Sequence, residues 1–266
     1  MHALVHPWTL GFMQRALLEL LLVGIAGSVL GCWIVLYELS YSAESLAHSL
    51  FPGLVLAAVL GFPLVLGGAL GVAVAAAAVA LTSRAPGIER DTAVAIVITS
   101  LFGLGVLLAL APASPPGVES LLFGDLLGAS GSDLVTAAVL TFAVLLGVTL
   151  LHRRLLAVGF DRGSARALGA RPLLTDLSLL ALIAAATLIA VRGLGNLLVV
   201  AVLVAPAATA RLLSVRLATM MALAAAVAAA CSVAGLYLSY YASTAGGASV
   251  AAVLVGTYLS VRLVVR

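Results

Sequence analysis

The chain contains no lysine, and all 13 of its basic residues are arginines. A phosphate-binding loop of the GxxxxGKS or GxxxxGKT kind needs its lysine on the nucleotide phosphates, so the chain has no such ATPase site. The zinc-protease sequence HExxH is absent as well. Only 9% of the 266 residues are charged, whereas a soluble domain carries about 25%. These shortages argue against a soluble enzyme and against ATP hydrolysis by this chain.

The chain also has few cysteines and a small net charge. Cys32 and Cys231 both lie in apolar segments, which is typical of packing residues and gives no indication of a disulfide. The formal net charge of +3 is too small to indicate a nucleic-acid partner.

Apolar residues, by contrast, make up 64% of the chain. A helix needs roughly 17 to 25 mainly apolar residues to cross a bilayer. We therefore predict an all-α, polytopic membrane helix bundle with about nine (eight to nine) transmembrane helices, in which residues 1–266 form a single transmembrane domain. The apolar runs lie at 14–37, 44–61, 63–83, 91–111, 132–151, 173–192, 195–213, 217–239 and 248–264.

The arginines predict how these helices are oriented. Short cytoplasmic loops carry an excess of arginine and lysine, and four regions fit that rule. They are Arg84 with Arg90, the segment 152–171, Arg211 with Arg216, and Arg262 with Arg266. The connections 110–131 and 240–247 have no basic residue and are predicted outside. Nine spans then place the N-terminus outside and the C-terminus in the cytoplasm, with Arg192 as an exception in an outer turn.

Two connecting segments differ from the predicted spans in length or polarity. Residues 112–131 are apolar but too short to span, which predicts a re-entrant or interfacial helix on the outer side.

Residues 152–171 are the longest polar stretch. There Asp161 is expected to cap a short helix through 162–168 that ends at Gly169. This helix is either a docking site for a soluble partner or an amphipathic connector held at the lipid headgroups.

Glu44 and His48 stand four residues apart beside a long apolar run, so they share one face of a helix. A carboxylate and an imidazole together can bind a divalent metal or pass a proton. Ionisable groups at membrane depth usually face protein or a water-filled path. The alternative is that Ser42 caps the helix, Glu44 merely suits the helix dipole, and His48 packs against a neighbouring span.

Four stretches resemble the permease subunits of bacterial ABC importers of zinc, manganese and iron. The segment from Phe160-Asp161 through Ala165-Arg166-Ala167-Leu168-Gly169 resembles their coupling segment, and Leu46 to Gly53 is similar to their LxHxxxPG stretch. The outer connection around Leu122 to Gly128, followed by Ser132-Asp133-Leu134, and the block from Gly195-Asn196 to Arg211 also resemble the family.

The resemblance implies a type II-importer-like homodimer in the bacterial plasma membrane, with ABC ATPase subunits below and an extracytoplasmic metal-binding protein above. A cytoplasmic coupling helix carrying Phe160, Asp161, Ala165, Arg166 and Gly169 would dock on the ATPase. Glu44 and His48 match the positions that contact the metal in transit, and Asp125 is a candidate for the outer entrance. No permanent cofactor is implied beyond the transported ion (Zn²⁺ or Mn²⁺, with Fe²⁺ as a third candidate).

Two positions depart from the family pattern. The family usually has aspartate where this chain has Glu44, and it often has an acid shortly after the Ser-Tyr-Tyr that corresponds to Ser239-Tyr240-Tyr241, where this chain has none. Both departures bear on which metal is carried. From the residues alone, a proton-coupled secondary transporter using Glu44 and His48 is the competing function.

Overall fold

The computed structural model describes residues 6–84, 86, 89–112, 114–167 and 169–265, with Arg90 and Asp91 described by their backbone alone. Over these residues it is all-helical, with a short 3₁₀ helix at His6–Thr9 followed by α-helices. These are α1 (Gly11–Leu36), α2 (Ser40–Leu60), α3 (Leu64–Thr82), α4 (Arg90–Ala109), α5 (Ser120–Phe123), α6 (Gly131–Phe160), α7 (Arg162–Ala167), α8 (Pro172–Leu194), α9 (Val199–Leu213), α10 (Leu217–Ala242) and α11 (Gly246–Val264). The all-α bundle expected from the sequence is confirmed.

Eight of the described helices are long and apolar enough to cross a membrane. They correspond to every predicted run except 195–213. In that run a turn at Gly195–Leu198 comes first, and the 15 residues of α9 that follow make a shorter helix. Gly195 has a φ of 74°, a left-handed conformation, and α8 ends just before it at Leu194. The seventh run is therefore part turn and part short helix, which bears on the functional site.

Glycines bring some helices into close backbone contact. A Cβ at Gly53 of α2 would overlap the Gly67 carbonyl of α3, and one at Gly71 would overlap the Ser49 carbonyl. A Cβ at Gly31 of α1 would likewise overlap the Leu203 carbonyl of α9. Small residues at these positions let apolar helices approach closely where lipid offers no hydrophobic driving force.

Hydrogen bonds and an ion pair join segments at each end of the bundle. At one end, Trp8 donates a hydrogen bond to Tyr237 at the close of α10, and Arg192 pairs with Asp133 at the start of α6. At the other end, the Tyr37 hydroxyl donates to the Leu155 carbonyl at 2.6 Å. The pairing with Asp133 offsets the charge of Arg192, the predicted exception among the outer turns. Arg266 and the Arg90 side chain lie outside the described residues.

The connection 112–131 is less helical than the sequence predicts. Before α6 begins at Gly131, only Ser120–Phe123 of its described residues form a helix, the single turn α5. Leu121 and Leu122 are buried against the protein. This burial places the middle of the connection against the turn that follows α8.

Candidate functional site

Glu44 and His48 lie on one face of α2, as their spacing predicts. The His48 Nε2 and Glu44 Oε1 atoms are 3.8 Å apart, and the two side chains are 24% and 55% exposed. The helix begins at Ser40 after Leu39, which makes no side-chain cap hydrogen bond. Ser42 is therefore inside the helix, and the alternative in which it caps α2 and places Glu44 in the first turn is wrong.

The other ring nitrogen of His48 meets Asn196. The Asn196 Nδ2 atom lies 3.2 Å from His48 Nδ1, although the residues are 148 positions apart. Asn196 is fully buried, and its Oδ1 atom has no hydrogen-bond partner among the described residues. Asn196 does not cap a helix, because α9 begins after Leu198 without a side-chain cap. Asn196 instead belongs to the site, because it holds the imidazole.

A backbone contact between two turns places Asn196 beside His48. The Asn196 N–H donates to the Leu121 carbonyl at 2.9 Å, and the Asp125 N–H donates to the Arg192 carbonyl at 3.2 Å. Gly124 and Gly195 have left-handed φ values of 80° and 74°. A Cβ on either would overlap the opposite backbone. We call residues 121–125 and 192–197, joined in this way, the outer clasp.

Aromatic packing completes the surroundings of His48. The ring of Phe102 from α4 lies 4.4 Å from the imidazole, centroid to centroid, and Phe51 packs behind Phe102 at 5.3 Å. The imidazole is thus held by α2, α4 and the outer clasp, while its Nε2 atom faces Glu44. An imidazole held in this way is pre-oriented toward whatever binds between Nε2 and the carboxylate.

The described residues supply two ligand side chains at this place, Glu44 and His48. Among the described residues no group of three or more His, Cys, Asp or Glu side chains is arranged to hold a metal ion. A closed structural zinc site needs four ligands, so the arrangement does not match such a site. Two ligands suit a place where an ion is held briefly and released.

The predicted coupling segment forms a capped helix at the opposite end of the molecule. The Asp161 carboxylate accepts hydrogen bonds from the Ser164 hydroxyl and from the Gly163 and Ser164 N–H groups, at 2.9 and 3.2 Å for the latter two. These bonds, led by the Ser164 hydroxyl, hold the pKa of Asp161 below its usual range. Gly169 has a φ of 82°, as a helix stop requires, and Leu168 lies outside the described residues.

The coupling residues differ in exposure. Phe160 is 95% exposed and Arg166 is exposed, whereas Ala165 is the buried residue of α7. Arg162 forms a two-bond ion pair with Asp176 of α8, at 2.8 and 3.2 Å, which ties α7 to the next helix. Phe160 and Arg166 are therefore available to a partner, while Ala165 and Gly169 shape the backbone.

Tyr37 connects the coupling end to the helix that carries His48. It follows α1, and its hydroxyl donates to the Leu155 carbonyl of α6, five residues before Phe160. Its ring also lies against Gly159. Burial raises the pKa of the Tyr37 hydroxyl to about 12, so it remains a donor at neutral pH. α2 begins three residues later, at Ser40.

Asp125 lines an outer cavity of about 400 Å³ together with Glu19, Asp133 and Arg192. Asp125 is exposed, and its Oδ1 atom accepts the Gly128 N–H at 3.0 Å. Sequence reasoning missed Glu19, which is a lone acid within the first apolar run. That isolation was the available signal, since carboxylates are rare inside membrane helices.

Comparisons with known proteins agree on one kind of protein. The ABC 3 transport family matches residues 9–265. The manganese transport system membrane protein MntC of Listeria innocua is 32% identical over 249 residues, which cover 94% of this chain and 88% of that protein. A probable iron transport system membrane protein of Haemophilus influenzae is 31% identical over 247 residues, covering 93% and 91%.

A solved structure is similar over nearly the whole chain. PsaBC from Streptococcus pneumoniae, in complex with Fab, superposes with a TM-score of 0.89 at 29% sequence identity. The match covers 95% of this chain and 91% of that one.

Proposed function

The chain belongs to the ABC 3 transport family, and from that premise we propose that it carries a divalent transition metal ion inward across the bacterial plasma membrane, past Glu44 and His48. It is a permease subunit of an ABC metal importer and is not itself an enzyme, since the ATPase is a separate subunit. The transporter complex joins this permease to an ABC ATPase and an extracytoplasmic binding protein.

The observation that carries the proposal is the pairing of His48 with Glu44 on one side and with buried Asn196 on the other. A histidine that serves only as packing has no need of a buried amide on one nitrogen and an ionisable group on the other. Metal-binding histidines commonly have this arrangement, in which one nitrogen faces the ion and the other is held by a hydrogen bond.

Manganese, zinc and iron are the ions that fit. An imidazole nitrogen and a carboxylate oxygen are acceptable ligands to all three, so the pair does not select among them. Relatives named for manganese transport and for iron transport support manganese and iron. We place manganese first for this chain, because several of the similar proteins carry that name.

A second copy of the chain would complete the site. Glu44 is 55% exposed on a spanning helix, and ionisable groups at membrane depth face protein or water. Next to it, Ser45 and Ser49 line a groove of about 650 Å³ against α3. We propose that this face of α2 lies at the twofold axis of a homodimer, where two glutamates and two histidines provide four ligands.

The proposed coupling path runs from α7 to α2. The ATPase would hold α7 through Phe160 and Arg166, and the movement would pass along the end of α6 to Tyr37 and so to the first turn of α2. ATP-driven closure of the ATPases would rock the helices between outward and inward states. From the residues alone, the competing function was a proton-coupled secondary transporter, which predicts uptake by the chain alone in a proton gradient.

Uptake by the His48→Ala variant tests the proposal. Vesicles containing the permease, its ATPase and its binding protein should take up radioactive manganese when ATP is supplied. The His48→Ala complex should show only background uptake, because the ion loses its nitrogen ligand, while membrane expression and ATPase binding stay at the level of the unmodified protein.

The matched control is His6→Ala, which removes an exposed histidine outside the spans. It should keep uptake intact. Full uptake by His48→Ala would refute the proposed transit site. Uptake that persists without ATPase and collapses with a protonophore would establish the secondary transporter instead.

A further inference from the structure

Among the described residues, Glu19 is the most deeply buried charged residue that the proposed transport path does not use. It lies in the third turn of α1, and only 3% of its surface is exposed. Its Oε2 atom has no hydrogen-bond partner among the described residues, and its Oε1 atom lies against Gly193. Burying an ionised carboxylate without a partner costs much free energy, so we expect this side chain to bind either a cation or a proton.

Glu19 is one of the residues that line the outer cavity. This cavity of about 400 Å³ extends from the exposed residues Pro115, Pro116 and Gly117 inward to Glu19. Glu19 also lines an adjoining cavity of about 210 Å³. The outer cavity therefore reaches from the surface to Glu19 and has room for several water molecules.

The charges around the outer cavity favour a cation. Its lining includes three carboxylates, Glu19, Asp125 and Asp133, and a single cation, Arg192. Arg192 is already paired with Asp133, which also accepts hydrogen bonds from Ser130. Glu19 and Asp125 are left as the two carboxylates without a cationic partner.

We propose that the outer cavity is a second cation site, in which Glu19 binds a divalent cation directly and Asp125 contributes at its mouth. The site is separate from the Glu44–His48 pair and would hold an ion before it reaches that pair. The claim that this cation is the transported ion rests on the proposed function. The claim that Glu19 binds a cation does not.

The chemistry specifies a partly hydrated ion bound mainly by oxygen. No described group of three or more ligating side chains is arranged around a metal here, so water must complete the shell. Small divalent cations often keep several waters and bind through one or two carboxylates. Manganese fits both this oxygen site and the nitrogen-containing Glu44–His48 pair.

Manganese binding to the purified full chain in lipid nanodiscs tests the site, with bound ion counted by equilibrium dialysis against MnCl₂. His48→Ala serves as the background, because it removes the proposed transit site. In that background, Glu19→Gln should weaken manganese binding roughly tenfold or more, since the only direct protein ligand loses its charge. Asp125→Asn should weaken it by a smaller factor.

Glu119→Gln is the matched control, because it removes an exposed acid of the same outer connection that does not line the cavity. It should leave binding unchanged. Thermal unfolding and gel filtration of each variant exclude a folding defect. Equal manganese binding by the His48→Ala chain with and without Glu19→Gln would overturn the proposal and would indicate that Glu19 holds only a proton.

The same binding measurements give a different result if the proposed function, rather than the second cation site, is wrong. If His48 is not a ligand, His48→Ala alone leaves manganese binding unchanged, while Glu19→Gln still lowers it. The two hypotheses are thus tested separately.

Discussion

At the scale of single residues, the contact between Asn196 and His48 determines which imidazole nitrogen can take an ion. In the structure the amide Nδ2 faces Nδ1 of the ring, so Nδ1 accepts and Nε2 carries the proton. A metal on Nε2 needs the opposite tautomer, with Nδ1 as donor. The unpartnered Oδ1 of Asn196 could accept that proton after a half-turn of the amide. The amide can therefore serve both the empty and the loaded histidine.

Substitution of Asn196 should separate this role from simple packing. Asn196→Leu removes both amide functions and should weaken manganese binding about 10- to 100-fold, the usual cost of losing the group that orients a metal-binding histidine. Asn196→Asp keeps an acceptor for Nδ1–H and should retain much of the affinity. Manganese titration of the purified variants measures both. Equal affinities for the two would show that the contact does not orient His48.

At the scale of elements, α7 depends on its cap, because a helix of six residues has little stability of its own. Asp161 satisfies N–H groups that would otherwise lack partners. Since the pKa of Asp161 is lowered in the folded protein, its contribution to stability is present above the usual aspartate range. That contribution is lost only as the pH falls through the lowered value.

The cap predicts how α7 responds to substitution. Asp161→Ala should expose the Gly163 and Ser164 amides to rapid hydrogen exchange at neutral pH and should weaken binding of the ATPase. Asp161→Asn should keep most of the protection, because asparagine also caps helices well. In the unmodified chain the same amides should stay protected until the pH drops below the usual aspartate range. Unchanged exchange in Asp161→Ala would rule out the cap as the source of this protection.

At the scale of the whole molecule, both ends of the bundle carry a proposed function. The outer clasp and the outer cavity lie at the end that has the Arg192–Asp133 pair, and α7 lies at the end that has most of the arginines. The proposed orientation places the first end outside and the second in the cytoplasm. Binding protein and ATPase would then meet the permease on opposite faces.

Labelling of introduced cysteines tests this orientation. Ala245→Cys lies in the turn between α10 and α11, and Val215→Cys lies between α9 and α10. A membrane-impermeant maleimide should label Ala245→Cys in intact cells and Val215→Cys only after lysis. The two native cysteines are buried and should give little background. The reverse pattern would contradict the orientation.

Much of the fold could be predicted because its information is local. Eight apolar runs became helices that can cross a membrane, since hydrophobicity and helix formation are properties of short segments. The Asp161 cap and the Gly169 stop were also predicted, because capping joins residues a few positions apart. The turn at Gly195–Leu198 was missed, because an apolar composition concealed a break in the helix.

The residues along the chain were enough to predict a membrane helix bundle that resembles metal-importer permeases and to single out Glu44 and His48. The contact of Asn196 with His48, and the unpartnered Glu19 Oε2 atom beside the outer cavity, became visible in the folded chain. The physical reason is distance along the chain: residues 148 positions apart meet only when helices pack. A cavity likewise exists only between elements and has no counterpart in any one segment.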